Sequence, residues 1–192
     1  MAWLIVGLVL FLGAHSTRIL AENWRSRTIG RIGAQRWKGG YTLVSLAGFG
    51  LLVWGFGQAR MAPVVLWSPP HGMRHLTALL TLVAFILLAA ANVPGNAVKA
   101  RLHHPMVLAV KLWALAHLLA NGTLAHVVLF GSFLVWAALN FRAARGRDQL
   151  ASIVYPAGRT GATVITVLVG IAAWAGFAFW AHAAWIGVSP LE

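Results

Sequence analysis

The 192-residue chain contains no cysteine and only three acidic residues, Glu22, Asp148 and Glu192. Without thiols there are no disulfides, no cysteine-held iron–sulfur clusters and no thiol nucleophile. All three acids fall outside the apolar runs. That excludes paired-carboxylate catalysis, Ser-His-Asp triads and carboxylate proton relays within a membrane. A carboxylate-built magnesium or calcium site is equally hard to assemble. Charged residues make up 9% of the chain, against about 25% in a soluble domain, too few to cover a water-facing surface. The sequence shows no convincing internal repeat, and no span has the paired Gly or Pro interruptions of a broken-helix ion site. The first apolar run has neither a basic leader nor a cleavage site, so it reads as a retained helix.

What is abundant is apolar: 60% of the residues are hydrophobic. The expectation is an all-α integral membrane protein, a bundle of about six transmembrane helices forming one domain over residues 1–192. A crossing helix takes about 20 apolar residues. Six runs, Ala2–Leu20, Tyr41–Gln58, His75–Val93, Pro105–Ala120, Thr123–Phe141 and Gly161–Ala184, use most of the chain. Between them lie a basic connector at 21–40, a rigid turn at 67–72, a connector at 94–104, a tight Asn121-Gly122 turn and a second basic connector at 142–160.

Of the 15 Lys and Arg residues, twelve fall on one side, Arg60 and Arg74 fall on the other, and Lys111 is within a span. The positive-inside rule then places the basic connectors in the cytoplasm and both termini on the periplasmic side of a bacterial inner (cytoplasmic) membrane. A net charge of +12 points to nucleic acid in a soluble protein. Here the bases sit between spans, so membrane lipids are the expected partner and nucleic acid is not. Most of the ten Trp residues fit interfacial belts.

Histidine is the remaining source of chemistry. His71, His75, His126 and His182 fall toward the outer ends of spans, and His103 and His104 at the inner entrance of the fourth; these six read as interfacial imidazoles. His15 and His117 interrupt apolar runs, where an ionisable group is costly and by default marks a site. Each has a plain alternative, a neutral imidazole hydrogen-bonded to a neighbouring helix. As a pair from two helices, with no thiol or carboxylate near, they suit a haem iron held on both faces. The span boundaries leave them about 10 Å apart in depth, an offset that ordinary tilts of about 20° can absorb. Val110, Trp113, Ala114, His117 and Asn121 share one helix face, and the small Ala114 would let a flat ring approach. Arg18, one turn after His15, and Lys111 are candidates to pair with a haem propionate; snorkelling to the interface is the alternative for both.

Three segments carry a family resemblance: Phe11-Leu12-Gly13-Ala14-His15-Ser16-Thr17-Arg18, Arg36-Trp37-Lys38-Gly39 leading into Tyr41-Thr42-Leu43-Val44, and the run from His104-Pro105-Met106 through Lys111-Leu112-Trp113-Ala114-Leu115-Ala116-His117 to Asn121-Gly122. With these, the chain resembles the NnrU family of bacterial membrane proteins, relatives of the plant 15-cis-zeta-carotene isomerase, over nearly its whole length. The resemblance implies a membrane haem b protein whose axial histidines match His15 and His117, in a setting of denitrification and nitric oxide metabolism. It also shows a departure: Ala114 stands where the isomerase has a Cys implicated in ligand switching.

Three functions compete. The first is a haem b protein of the inner membrane, active in redox, nitric oxide handling or cis–trans isomerisation of an apolar small molecule, 15-cis-zeta-carotene isomerisation included. The second is a non-enzymatic assembly or signalling factor whose partner is a respiratory reductase or another redox protein. The third is a membrane methyltransferase, because Leu102-His103-His104-Pro105 loosely resembles the Arg-His-Pro motif of isoprenylcysteine methyltransferases. Asp148 alone cannot supply the downstream acidic motif those enzymes use.

Overall fold

A computed structural model describes residues 1–70 and 72–191; the expectations placed on His71 and Glu192 lie outside the described residues. Helices run in chain order as α1 (Ala2–Leu20), α2 (Glu22–Ile32), α3 (Ala34–Met61), α4 (Met73–Asn92), α5 (Ala97–Leu102), α6 (Pro105–Ala120), α7 (Leu124–Leu150) and α8 (Thr160–Gly176). A π-helical turn, Phe177–Ala181, then joins α8 to α9 (His182–Ile186). Among the described residues there are no strands, only an isolated bridge between Val65 and Thr123. Five helices are long and apolar enough to cross a membrane: α1, α3, α4, α7 and the continuous Thr160–Ile186 span. The sixth expected span, α6, is apolar but only 16 residues long. Most of each span's surface is exposed and apolar, as a lipid-facing bundle requires.

The two basic connectors are more helical than the sequence reading expects. Residues 22–32 form α2, α3 begins at Ala34, and α7 continues past Phe141 to Leu150. The reason is that charge ends an apolar run without ending a helix: Arg, Ala, Gln and Leu are all good helix formers. Glu22 adds local support, bonded to Arg25 at 3.0 Å and lying 4.0 Å from Arg18. No residue of α2 is buried. Between α2 and α3 the chain turns at Gly33 with φ +86°, a conformation open to glycine.

Neighbouring helices pack in the order α3, α1, α7, α6, α4 and α8, with α6 wedged between α7 and α4. The α1–α3 contact is made backbone to backbone. A Cβ on Gly7 would run into the backbone of Leu52, and one on Gly55 into that of Leu4. In a bilayer, where burying apolar surface against a neighbour gains little over lipid, such close approach is the main source of helix association. Leu4, Leu8, Leu52, Ala114, Leu129 and Phe130 form the larger buried cluster, and Ala84, Leu87 and Ala109 a smaller one between α4 and α6.

The two ends of the bundle are tied differently. At the basic end, Asn96 is buried; its side chain accepts from the Lys99 amide at 2.8 Å and donates to the carbonyls of Ala90 and Val93. Nearby, the Arg159 amide donates to the Gly95 carbonyl at 2.8 Å and Arg147 reaches the Arg18 carbonyl. At the opposite end, the amides of Leu66 and Trp67 share the Gly122 carbonyl, and Arg60 donates to the Ile186 carbonyl at 3.0 Å. Gly122 has no room for a side chain, since a Cβ would run into the Trp67 carbonyl. The Asn121-Gly122 turn is therefore where the sequence places it.

Candidate functional site

His117 lies three residues before the end of α6. Its Nδ1–H donates to the Trp113 carbonyl at 2.8 Å. A carbonyl can only accept, so the proton sits on Nδ1 and Nε2 keeps its lone pair. No hydrogen bond engages that Nε2 among the described residues. The ring stacks on Phe130 with centroids 4.5 Å apart and lies 5.2 Å from Trp113. It borders a cavity of about 270 Å³ lined by α4, α6, α7 and the last span. The walls are nearly all apolar or aromatic: Phe85, Val110, Trp113, Phe133, Trp174 and Phe177 among them. The two threonines of the lining are already satisfied. Thr77 donates to the Ala116 carbonyl, and Thr81 donates to Ala78 while accepting from the Trp174 indole at 3.2 Å. The imidazoles are thus the polar groups left to meet a ligand.

His15 has the same local arrangement in a different place. Its Nδ1–H donates to the Phe11 carbonyl at 2.7 Å, and the ring packs against Tyr41 of α3 at 5.3 Å and edge-on to Trp136 of α7 at 6.1 Å. It does not line the cavity of His117. Helix α7 serves as a ruler. His117 sits at Phe130 and His15 at Trp136, six residues or about 9 Å apart along the axis, the offset that the span boundaries imply. Phe11, Phe133 and Trp113 form an aromatic chain between the two, with steps of 5.9 and 5.5 Å. His117 borders the cavity and His15 lies outside it.

The remaining candidates also diverge. Arg18 is exposed and turned toward Glu22. Lys111 is exposed and borders no cavity described here. Ala114 is fully buried within the Leu4–Leu8–Phe130 cluster, so the face it leaves open is filled by α1 and α7 rather than by space for a ring. The residue sequence reasoning passes over is His182. It lines the same cavity as His117, and its Nδ1–H donates to the Val188 carbonyl at 2.6 Å. A signal for it exists in the row Trp174, Ala178, His182, which an interfacial reading of each residue in isolation ignores. His126 and His182 both lie within electrostatic reach of His117.

The basic end holds a second polar cluster. The His104 Nε2–H donates to the Asp148 carboxylate at 2.8 Å, and the Tyr155 hydroxyl donates to the same oxygen at 2.8 Å. His103 stacks on Tyr155, with centroids 4.1 Å apart and planes at 8°, and accepts from Arg145. Partial burial, then the hydrogen bond to Asp148 and its negative charge, raise the Tyr155 hydroxyl above its usual pKa. His103 is held at φ +69°, a strained value for a residue with a side chain. These groups satisfy one another and clamp the 151–159 segment to the start of α6. Among the described residues no group of three or more His, Asp or Glu side chains is placed to hold a metal ion.

No curated protein and no solved structure matches the chain significantly. A family model does: that of the NnrU protein, matched over residues 3–190, which takes in all but the first residue of the helices described above. The chain belongs to the NnrU family.

Proposed function

We propose that this member of the NnrU family is a haem b-binding protein of the bacterial inner membrane, with His117 as the residue that holds the iron. The basic connectors then face the cytoplasm and the termini the periplasm. The observation that carries the reading is the state of His117: Nδ1–H tied to the Trp113 carbonyl, Nε2 free, and an apolar cavity beside it. Metal-ligating histidines are held in this way by a backbone carbonyl, which fixes the tautomer and aims the ring. When bound, haem would supply redox chemistry, nitric oxide binding or Lewis-acid activation of a double bond.

The protein's own contribution is binding and exclusion. Phe85, Trp113, Trp174 and Phe177 exclude water and select an apolar small molecule. At about 270 Å³ the cavity is just below the usual range for small-molecule sites, about 300–1,000 Å³. A cavity of this size holds a small apolar molecule and not a haem macrocycle, so the haem reading rests on the state of His117. The physiological setting inferred from the family is denitrification and nitric oxide metabolism, with an apolar substrate or a redox partner such as a respiratory reductase; isomerisation of an apolar polyene draws on the same cavity.

Absorption spectra of detergent-purified protein, air-oxidised and dithionite-reduced, test this. A sharp reduced α-band in the native protein that His117→Ala abolishes is the expected result. A colourless protein from haem-replete cells would sink the reading, and His117 would then be a packing residue of α6.

A further inference from the structure

We propose that the groove between α1 and α7 holds one phospholipid of net negative charge, with an acyl chain in the groove and the phosphate on Arg142 and Arg147. The groove measures about 620 Å³ and shares no lining residue with the cavity of His117. Small residues create it: the walls include Gly13 and Ser16 of α1 and Gly131 and Ser132 of α7. A Cβ on Gly13 or Gly131 would find nothing within 4 Å. Along the rims Val9, Leu20, Val135 and Leu139 are half exposed or more. A slot that is apolar and open on its side within a bilayer is filled by hydrocarbon chain.

Length, depth and charge fit this occupant. On α1 the lining runs from Leu8 to Leu20, twelve residues or about 18 Å, close to the roughly 15 Å of one leaflet's hydrocarbon. The groove ends at the basic end, where α7 carries its row Val135, Leu139 on through Arg142 and Gly146 at spacings of four, three and four. Gly146 has nothing within 4 Å of a Cβ, so the groove stays open at headgroup level. Arg142 is exposed and makes no hydrogen bond or ion pair among the described residues. Arg147 reaches the Arg18 carbonyl at 3.5 Å, which sets a second guanidinium at the Leu20 end. Both acids nearby are engaged, Glu22 by Arg25 and Arg18, and Asp148 by His104 and Tyr155. The two guanidiniums are left to meet a phosphate, which arginine binds with paired N–H donors. Inside the groove Ser132 spends its hydroxyl on the Val128 carbonyl, whereas Ser16 makes no hydrogen bond among the described residues. Ser16 lies four residues, about 6 Å, inside Leu20. That is the depth of a lipid ester below its phosphate, in a headgroup layer about 5–7 Å thick.

Native mass spectrometry of the full-length protein in detergent, titrated with dioleoyl phosphatidylglycerol, tests the site. One lipid per chain should be retained, in preference to dioleoyl phosphatidylcholine. Arg142→Gln and Arg147→Gln should each weaken retention roughly fivefold. Gly131→Leu and Gly13→Leu, which fill the groove from its two sides, should abolish retention while thermal unfolding shows the bundle intact. The pair keeps the test decisive where one of them fails to fold. Arg27→Gln with Arg31→Gln, exposed on α2 and out of contact with α7, should leave retention unchanged. Equal hold on the two lipids, retention in a folded groove-filled variant, or an equal loss in the α2 variant overturns the proposal. Displacement of the lipid by inorganic phosphate also overturns it, since the site would then bind an anion without using the groove.

Discussion

At the scale of single residues, hydrogen-bond direction decides what each ring can do. His15, His117 and His182 all spend Nδ1–H on a backbone carbonyl, which leaves Nε2 for a ligand. His103 and His104 spend their nitrogens on Arg145 and Asp148 and are locked in the basic-end clamp. Tyr155 reports on that clamp. Its hydroxyl ionises above the usual range because it is partly buried and donates to Asp148. A phenol whose folded pKa is raised stabilises the fold fully below its unfolded pKa of about 10, and that contribution is lost as pH rises through the folded value. In a Tyr41→Phe background, the tyrosinate absorbance of Tyr155 should therefore appear above pH 10. Asp148→Asn should bring the midpoint back down, and an unchanged midpoint would show that Asp148 does not hold the hydroxyl.

At the scale of helices, the small residues separate into those that touch and those that do not. Gly55 meets the Leu4 backbone of α1, while Gly57, two residues on in α3, has nothing within 4 Å of a Cβ. Gly55→Ala forces α1 and α3 apart and should cost about 1–3 kcal/mol. Gly57→Ala only improves helix propensity and should gain up to about 1 kcal/mol. Thermal unfolding followed by circular dichroism would show opposite shifts; two shifts of the same sign would rule out the backbone contact. Five spans and the Asn121-Gly122 turn are legible from hydropathy and turn chemistry. The extension of α7 to Leu150 and the existence of α2 are not, because hydropathy reports where lipid ends, whereas helix propensity carries on through Arg and Ala. His182 is hidden for a related reason. Its place on the cavity follows a π turn that the sequence Phe177-Ala178-Phe179-Trp180-Ala181 does not announce, and a chain reversal at Gly187 beyond the last apolar run.

At the scale of the whole molecule, charge and contact agree on one two-ended bundle. The C-terminal ends of α1, α4 and α7 meet the starts of α6 and α8 around Asn96, Asp148 and Arg147, so consecutive spans alternate in direction and the twelve basic residues gather at one end. Within that bundle α6 is the odd member. Its 16 residues rise about 24 Å, against about 30 Å of hydrocarbon in a typical bilayer, and its outward side carries Lys111 one turn before the exposed Leu115. Lipid next to this helix must thin or let water in toward the ammonium, which makes the annulus of the protein asymmetric in thickness. Reconstitution in phosphatidylcholines of graded acyl length should then show greatest thermal stability at shorter chains, with Lys111→Leu moving the optimum to longer ones; a flat profile would mean α6 makes no such demand. A helix that holds the candidate iron ligand would, on this account, also set the membrane thickness in which the protein works best.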